Sequence, residues 1–221
     1  MRVGIVGGTG KLGSGLAQRW GRAGHSIAIG SRDGAKASLY AAELAKAGYA
    51  ATGGDNVWAA GEGEVVVLTV PYEAHGETVR SIADAVAGKV LIDVTVPLKP
   101  PKVSRVHLPA GQAAALETQA LVGPSTRVVA ALHHVSATHL ADMAHAIDCD
   151  VLVASDDARA KAVTLDLVRD LGARGLDAGP LVNAIALESL TPVLIHLNKT
   201  YKSLGAGVVF TDLPGASQPK T

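Results

Sequence analysis

Cysteine is nearly missing from this chain: Cys149 is the only one in 221 residues. That excludes an intrachain disulfide and a cysteine-built metal centre, and Cys149 reads as a small buried hydrophobe. Aromatic residues are scarce too, with one Phe, two Trp and four Tyr; Ala, Gly, Val and Leu dominate instead. Neither sign of charge prevails, since 20 Lys and Arg balance 20 Asp and Glu. There is no basic excess to suggest nucleic acid and no lysine run to suggest a membrane surface. No stretch reaches the roughly 18 uninterrupted apolar residues of a membrane span. Gly7-Gly8 interrupts the apolar start at once, so we expect a core strand there rather than a signal peptide, in a cytoplasmic protein.

What is present is concentrated in the first 32 residues. Arg2 to Val6 is a short apolar strand. It runs into Gly7-Gly8-Thr9-Gly10-Lys11-Leu12-Gly13, then a helix over Leu12 to Ala23 and a strand over Ser26 to Gly30. Strand, glycine turn, helix and strand make the dinucleotide fingerprint. Gly8 is expected to permit the tight turn, Gly10 to admit a pyrophosphate against bare backbone, and Gly13 to let the helix lie close to the sheet. Thr9 to Leu12 then lie where the helix directs its free N–H groups and positive dipole end at phosphate. The competing reading is a glycine turn that only packs the helix.

The end of the second strand distinguishes NAD from NADP. An NAD site places Asp or Glu there; this chain has Ser31 and Arg32, with Lys36 one helical turn on. A hydroxyl and a planar guanidinium suit a 2′-phosphate. Asp33 reads as the cap of a helix over Ala35 to Ala47. The plain alternative for Ser31-Arg32-Asp33 is a solvated turn.

Alternation continues beyond. A short strand is expected at Ala50 to Thr52, a brief helix at Asn56 to Gly61, and a buried strand at Glu64 to Val70, whose β-branched run ends at Pro71. A helix over Tyr72 to Val86, containing Gly76, and a strand over Lys89 to Asp93 follow. The pattern loosens from Val96 to Ser125, where prolines mark a long loop holding one helix, Ala110 to Ala120. Strands at Arg127 to Leu132, Asp150 to Ala154 and Arg174 to Asp177 flank a helix over Asp157 to Leu171. A last apolar helix, Ala184 to Lys202, contains Pro192 and should kink or break there. The fold class is therefore α/β: a Rossmann-type, doubly wound, mostly parallel sheet with a small C-terminal helical segment. We expect the NADP-binding domain over 1–180, the helical segment closing the crevice over 181–212, and a disordered tail over 213–221.

Ligands in such sheets bind beyond the carboxyl ends of the strands. Those ends are Gly7 to Leu12, Ser31-Arg32, Val70-Pro71-Tyr72, Val94 to Leu98 and Leu132-His133-His134. His133 and His134 are the candidate acid–base pair; the alternative is that one faces the crevice and the other bonds structurally. His139 and His145 fit no metal-binding spacing, so no metal is expected. No Ser-His-Asp set or nucleophile elbow occurs. Carbonyl reduction needs a proton donor at the oxygen, whereas reduction of a flavin-like ring mainly needs two aligned rings. The weak acid–base signal favours hydride transfer between two cofactors.

These residues resemble the NADPH-dependent F420 reductases. The resemblance lies in Gly7-Gly8-Thr9-Gly10 with Leu12-Gly13, Gly30-Ser31-Arg32 with Lys36, and Leu68-Thr69-Val70-Pro71. It continues in Ala131-Leu132-His133, Asp177-Ala178-Gly179-Pro180-Leu181 and Glu188-Ser189-Leu190-Thr191-Pro192. It spans the chain to about Phe210. It implies an oxidoreductase catalysing reversible hydride transfer between NADP(H) and the deazaflavin coenzyme F420, in a homodimer or higher homo-oligomer. By the same resemblance Gly8 to Leu12 hold pyrophosphate, and Ser31, Arg32 and Lys36 hold the 2′-phosphate. Val70, Pro71, Tyr72, Gly76 and the Val96-Pro97-Leu98 turn flank the nicotinamide, and His133, Ala137 and residues near Leu181 to Leu190 face the deazaflavin. Two features depart from the family: the proline-rich loop from Lys99 to Ser125, and Tyr72, where a tryptophan is often found. The alternatives kept open are an NADPH-dependent reductase of a flavin, imine or small carbonyl, and a non-enzymatic NADP-sensing protein.

Overall fold

The computed structural model describes residues 1–213. Eight strands form one sheet: β1 (Arg2–Val6), β2 (Ser26–Ser31), β3 (Ala51–Asp55), β4 (Val65–Leu68), β5 (Val90–Asp93), β6 (Arg127–Ala131), β7 (Asp150–Ala154) and β8 (Arg174–Asp177). Their spatial order is β3-β2-β1-β4-β5-β6-β7-β8. Neighbours are parallel, except β6 and β7, which pair antiparallel. Strand order reverses between β1 and β4, so the ligand crevice of this topology opens above that pair.

The helices are α1 (Lys11–Arg22), α2 (Gly34–Lys46), α3 (Asn56–Glu62), α4 (Tyr72–Ile82), α5 (Ala114–Val122), α6 (Ala137–Ala141), α7 (Ala158–Asp170) and α8 (Ala184–Tyr201), the last preceded by a 3-10 turn at Leu181–Asn183. They cover both faces, which is why β4 is buried at every residue. Its side chains alternate: Val65 and Val67 join a core with Leu16, Trp20 and Leu167, while Val66 and Leu68 join one with Ile82, Leu91 and Leu187. Burying each such side chain contributes about 1.5–3 kcal/mol. The Trp20 indole N–H, which burial would otherwise strand, donates to Leu167 O at 2.9 Å.

Several boundaries differ from the sequence reading. β3 is longer than Ala50–Thr52, α4 stops at Ile82 rather than Val86, and α5 starts at Ala114 after Gln112 takes a positive φ of 69°. α8 runs through Pro192 without the break expected there, with Leu187, Pro192 and Leu194 all buried. Leu181–Tyr201 is, by length and composition, apolar enough to cross a membrane. Here it packs on α5 and β6, and it carries Glu188 on its buried side. Beyond α8 the chain returns along β7, where Asp150 N donates to Val208 O at 2.8 Å. The expected tail falls on 214–221, outside the described residues, apart from Leu213.

The reversal at β7 moves one predicted element. Because β7 and β8 run against β6, the Asp177–Leu181 turn emerges at the end of the sheet opposite the crevice. Leu181 is buried there, in the core with Val128 and Ala130.

Candidate active site

The glycine turn is held by its own backbone. Gly8 N donates to Gly30 O at 2.8 Å, and Gly10 N donates to Gly7 O at 3.0 Å. The left-handed residue is Gly7, at φ 77°, rather than Gly8. A Cβ on Gly13 would lie 2.7 Å from Thr69 Oγ1 and 2.8 Å from Gly8 Cα, so that glycine serves close packing. A Cβ on Gly10 would meet only Gly7 O, at 3.3 Å, a much looser fit than at Gly13. α1 also begins without a side-chain cap and without an acid in its first turn, whereas α2, α3 and α7 are capped by Asp33, Asp55 and Asp157. Free N–H groups at an uncapped helix start, beside open backbone, fit a pyrophosphate.

At the neighbouring strand end Ser31 is buried and its Oγ accepts from Thr9 Oγ1 at 3.4 Å and Asp33 N at 3.2 Å. Arg32 and Lys36 are exposed and make no ion pair among the described residues. Asp33 is occupied as the α2 cap, accepting from Ala35 N and Lys36 N. This lip presents two unpaired cations, with Asp33 Oδ1 engaged as the α2 cap, an arrangement suited to a dianionic phosphate.

From Gly10, Lys11 and Leu12 a crevice of about 550 Å³ runs across the sheet switch point. Val70, Pro71 and Tyr72 wall one side; Val96 and Leu98 another; His133 and Ala137 a third. The lining is mostly apolar, as expected for a planar ring system. Tyr72 gives it a ring face, not an acid. Its hydroxyl donates to Glu117 Oε2 at 2.9 Å, and burial followed by that carboxylate pushes its pKa up to about 12.

His133 is 5% exposed, and neither ring nitrogen has a protein partner. Burial, then the neighbouring His134, pushes its pKa down to about 3, so the ring is neutral at physiological pH. A neutral imidazole with two unused nitrogens offers one donor and one acceptor to a bound ring. His134 instead donates from Nε2 to Leu187 O at 2.8 Å and supports α8.

Beneath the crevice lies a buried polar layer. His75 Nε2 meets Asp93 Oδ2 at 2.8 Å, and Asp93 accepts from Thr118 Oγ1 at 2.6 Å and Thr95 N at 2.9 Å. Burial alone would raise Asp93; His75 and these donors instead hold its carboxyl below the usual range. Glu188 accepts from Ala114 N at 2.7 Å and Ala115 N at 3.0 Å, capping α5 from across the fold. Burial outweighs those bonds and pushes Glu188 up to about 8.

Some expected positions lie elsewhere. Gly76 sits one turn inside α4, off the crevice, and Pro97 is buried below its lining. None of Leu181 to Leu190 reaches the crevice; Thr191 does, and its hydroxyl donates to His133 O at 2.9 Å. Glu73, Pro100, Val103 and Val135 also line it without having been singled out, as do Thr69 and Thr191, which had been quoted only as parts of motifs. Thr69, directly before Val70 at the end of the β4 run, was the one with a readable signal. The fold also brings His139, His145 and Asp148 together, with ligand atoms within 4.8 Å of one another. The two imidazoles stack at 3.8 Å and 30°. Near-parallel rings point their lone pairs side by side rather than at one ion, so packing explains the arrangement. A larger open groove, about 730 Å³ beside Pro124, Arg127 and Asp157, has no glycine turn near it.

Known proteins with this chain's pattern agree with the geometry. Residues 2–97 match the family described as NADP oxidoreductase, coenzyme F420-dependent. The F420-dependent NADP reductase of Methanothermobacter thermautotrophicus is 41% identical over 97% of this chain and 96% of its own. That of Methanocaldococcus jannaschii is 37% identical over 96% of this chain and 99% of its own. Among solved structures, a protein of Arthrobacter sp. FB24 provisionally assigned the same activity superposes with a TM-score of 0.79 at 24% identity, covering 96% of this chain and 99% of that one. The Streptomyces aurantiacus imine reductase shares the fold, at TM-score 0.56 and 17% identity, over 91% of this chain and 62% of that one. With full-length identity of this order joined to an uncapped glycine cradle and a two-cation lip, the chain belongs to the F420-dependent NADP reductase family.

Proposed function

We propose that this enzyme transfers hydride reversibly between NADP(H) and coenzyme F420, both lying in the crevice above β1 and β4. The nicotinamide supplies hydride from C4 and the deazaflavin takes it at C5, with one proton taken up in balance: NADPH, F420 and H⁺ give NADP⁺ and reduced F420. Gly8, Thr9, Gly10, Lys11 and Leu12 cradle the pyrophosphate. Ser31, Arg32 and Lys36 bind the 2′-phosphate. Val70, Pro71, Tyr72, Val96 and Leu98 confine the nicotinamide, while His133 and Ala137, with Thr191 behind them, align the deazaflavin. α8 closes this wall, and no residue forms a covalent intermediate.

The observation that carries this reading is a mostly apolar crevice whose two candidate acids, Tyr72 and His133, are poor proton donors. Tyr72 is committed to Glu117, and His133 is uncharged. Such a site can hold two rings at a near-attack distance of about 3–3.5 Å, while neither Tyr72 nor His133 is poised as the acid that carbonyl or imine reduction requires. The test is a panel of acceptors offered with NADPH: F420, free flavin, a cyclic imine and a small ketone. Rapid bleaching of the deazaflavin with little turnover of the others is expected; preference for the imine or ketone would reject the reading.

We further propose that the enzyme is a homodimer, paired through the apolar residues that α8 and its approach leave outside, among them Val182, Val193 and Tyr201. Sedimentation should give twice the chain mass of 22.4 kDa, and Val193→Asp should shift it to the monomer. A wild-type monomer would exclude this.

A further inference from the structure

The loop between β5 and α5 carries a feature the nucleotide site does not use. From Val94 to Leu116 there is no acidic residue, yet Lys99, Lys102, Arg105 and His107 fall within nine positions. In a chain of zero net charge this is a local excess. Backbone turns set the cations at regular steps, with Lys102 N donating to Lys99 O and Arg105 N to Lys102 O. All four basic residues line one cleft of about 350 Å³, together with Pro100, Pro101 and Val106. Lys99, Lys102 and Arg105 are exposed, and none forms an ion pair among the described residues. Cations gathered around a concavity without anions raise the local potential for an incoming anion. The cleft adjoins the crevice: Pro100 lines both, and Leu98 and Val103 of the same loop face the crevice side. It lies past β5, away from Arg32 and Lys36 at the end of β2, on the other side of the switch point.

We propose that this cleft is a subsite for the polyanionic arm of the second substrate. The inference rests on F420 being that substrate. Beyond its ring, F420 bears a ribityl chain continuing into a phosphodiester and a string of carboxylates, so a ring seated in the crevice must send an anionic chain out of it. The basic loop stands at an exit lined by its own Leu98 and Val103. Guanidinium and ammonium groups there pair with phosphodiester and carboxylate oxygens as the arm leaves. Because these contacts are solvent-exposed, each is individually weak and screened by salt; three together contribute about tenfold in affinity.

The test compares F420 with its tailless deazaflavin riboside, using wild type and the triple variant Lys99→Ala, Lys102→Ala, Arg105→Ala. The variant should raise KM for F420 about tenfold while kcat, KM for the riboside and the NADPH Kd stay near wild type. In wild type the preference for F420 over the riboside should shrink as ionic strength rises, and in the variant that salt dependence should flatten. Normal turnover with an unchanged KM ratio in the variant would overturn the subsite and leave the F420 reading intact. Equal losses for F420 and riboside, or a matching loss of NADPH affinity, would also overturn it. Failure of wild type to reduce either deazaflavin would overturn both.

Discussion

Gly10 and Gly13 stand three residues apart on one turn and answer to different partners. Gly13 is packed against Thr69 and Gly8, while a Cβ on Gly10 would touch only the Gly7 carbonyl, at 3.3 Å. Gly13→Ala should therefore lower the thermal midpoint, since the fold must shift to accept the methyl group. Gly10→Ala should keep near-wild-type stability and lose nucleotide affinity. Arg32→Ala should weaken NADPH by about 2 kcal/mol and leave NADH almost unchanged. Calorimetric titration of the three variants, beside their melting curves, checks all of this. Equal loss of NADPH and NADH in Arg32→Ala would contradict the 2′-phosphate assignment. At this scale the sequence was most legible at Gly13, whose expected close packing against the sheet is what the backbone shows, while the left-handed turn fell to Gly7 rather than Gly8. It was least legible for Tyr72 and His133. Their roles depend on Glu117 and on the burial that lowers the imidazole, and both follow from segments distant in the chain.

Four helices, α2, α3, α6 and α7, start at a capping Asp or Ser, and α5 lacks a local cap. Ala113 precedes it with no side-chain bond, so Glu188 of α8 supplies the oxygens instead. A carboxyl raised in the folded state binds its proton more tightly there than in the unfolded chain. Its stabilising effect is complete below the unfolded value of 4.5 and is lost as pH climbs toward about 8. Relative to Glu188→Gln, wild type should lose stability by a few kcal/mol across that window. Urea midpoints at pH 5, 7 and 9 measure the difference, and parallel pH curves for the two proteins would contradict the linkage. The same remote capping explains why the start of α5 was misread. β3 was under-read for a related reason: Gly53 and Gly54 weaken its strand signal, but Gly53 lies against the backbone of Ala37 and Gly54 against the Trp58 ring. α6 was invisible because Arg19 imposes it, donating to the carbonyls of His139, Leu140, Asp142 and His145.

For the molecule as a whole, alternation of strands and helices specified the layers and the crevice, since each apolar run must be covered on both faces. Alternation carries no direction, however. The reversal of β7 against β6 therefore went unread, and with it the displacement of Leu181 to Leu190 away from the crevice. What survives is one crevice at the switch point, where the glycine turn and a mostly apolar slot share a wall. The central claim is that hydride passes directly from one bound ring to the other. NADPH deuterated at the transferring C4 position, mixed with enzyme and F420 in ordinary water, tests this by mass and NMR analysis of the reduced deazaflavin. Deuterium retained at C5 is the predicted result; solvent hydrogen at C5, with the label lost to water, would contradict the account.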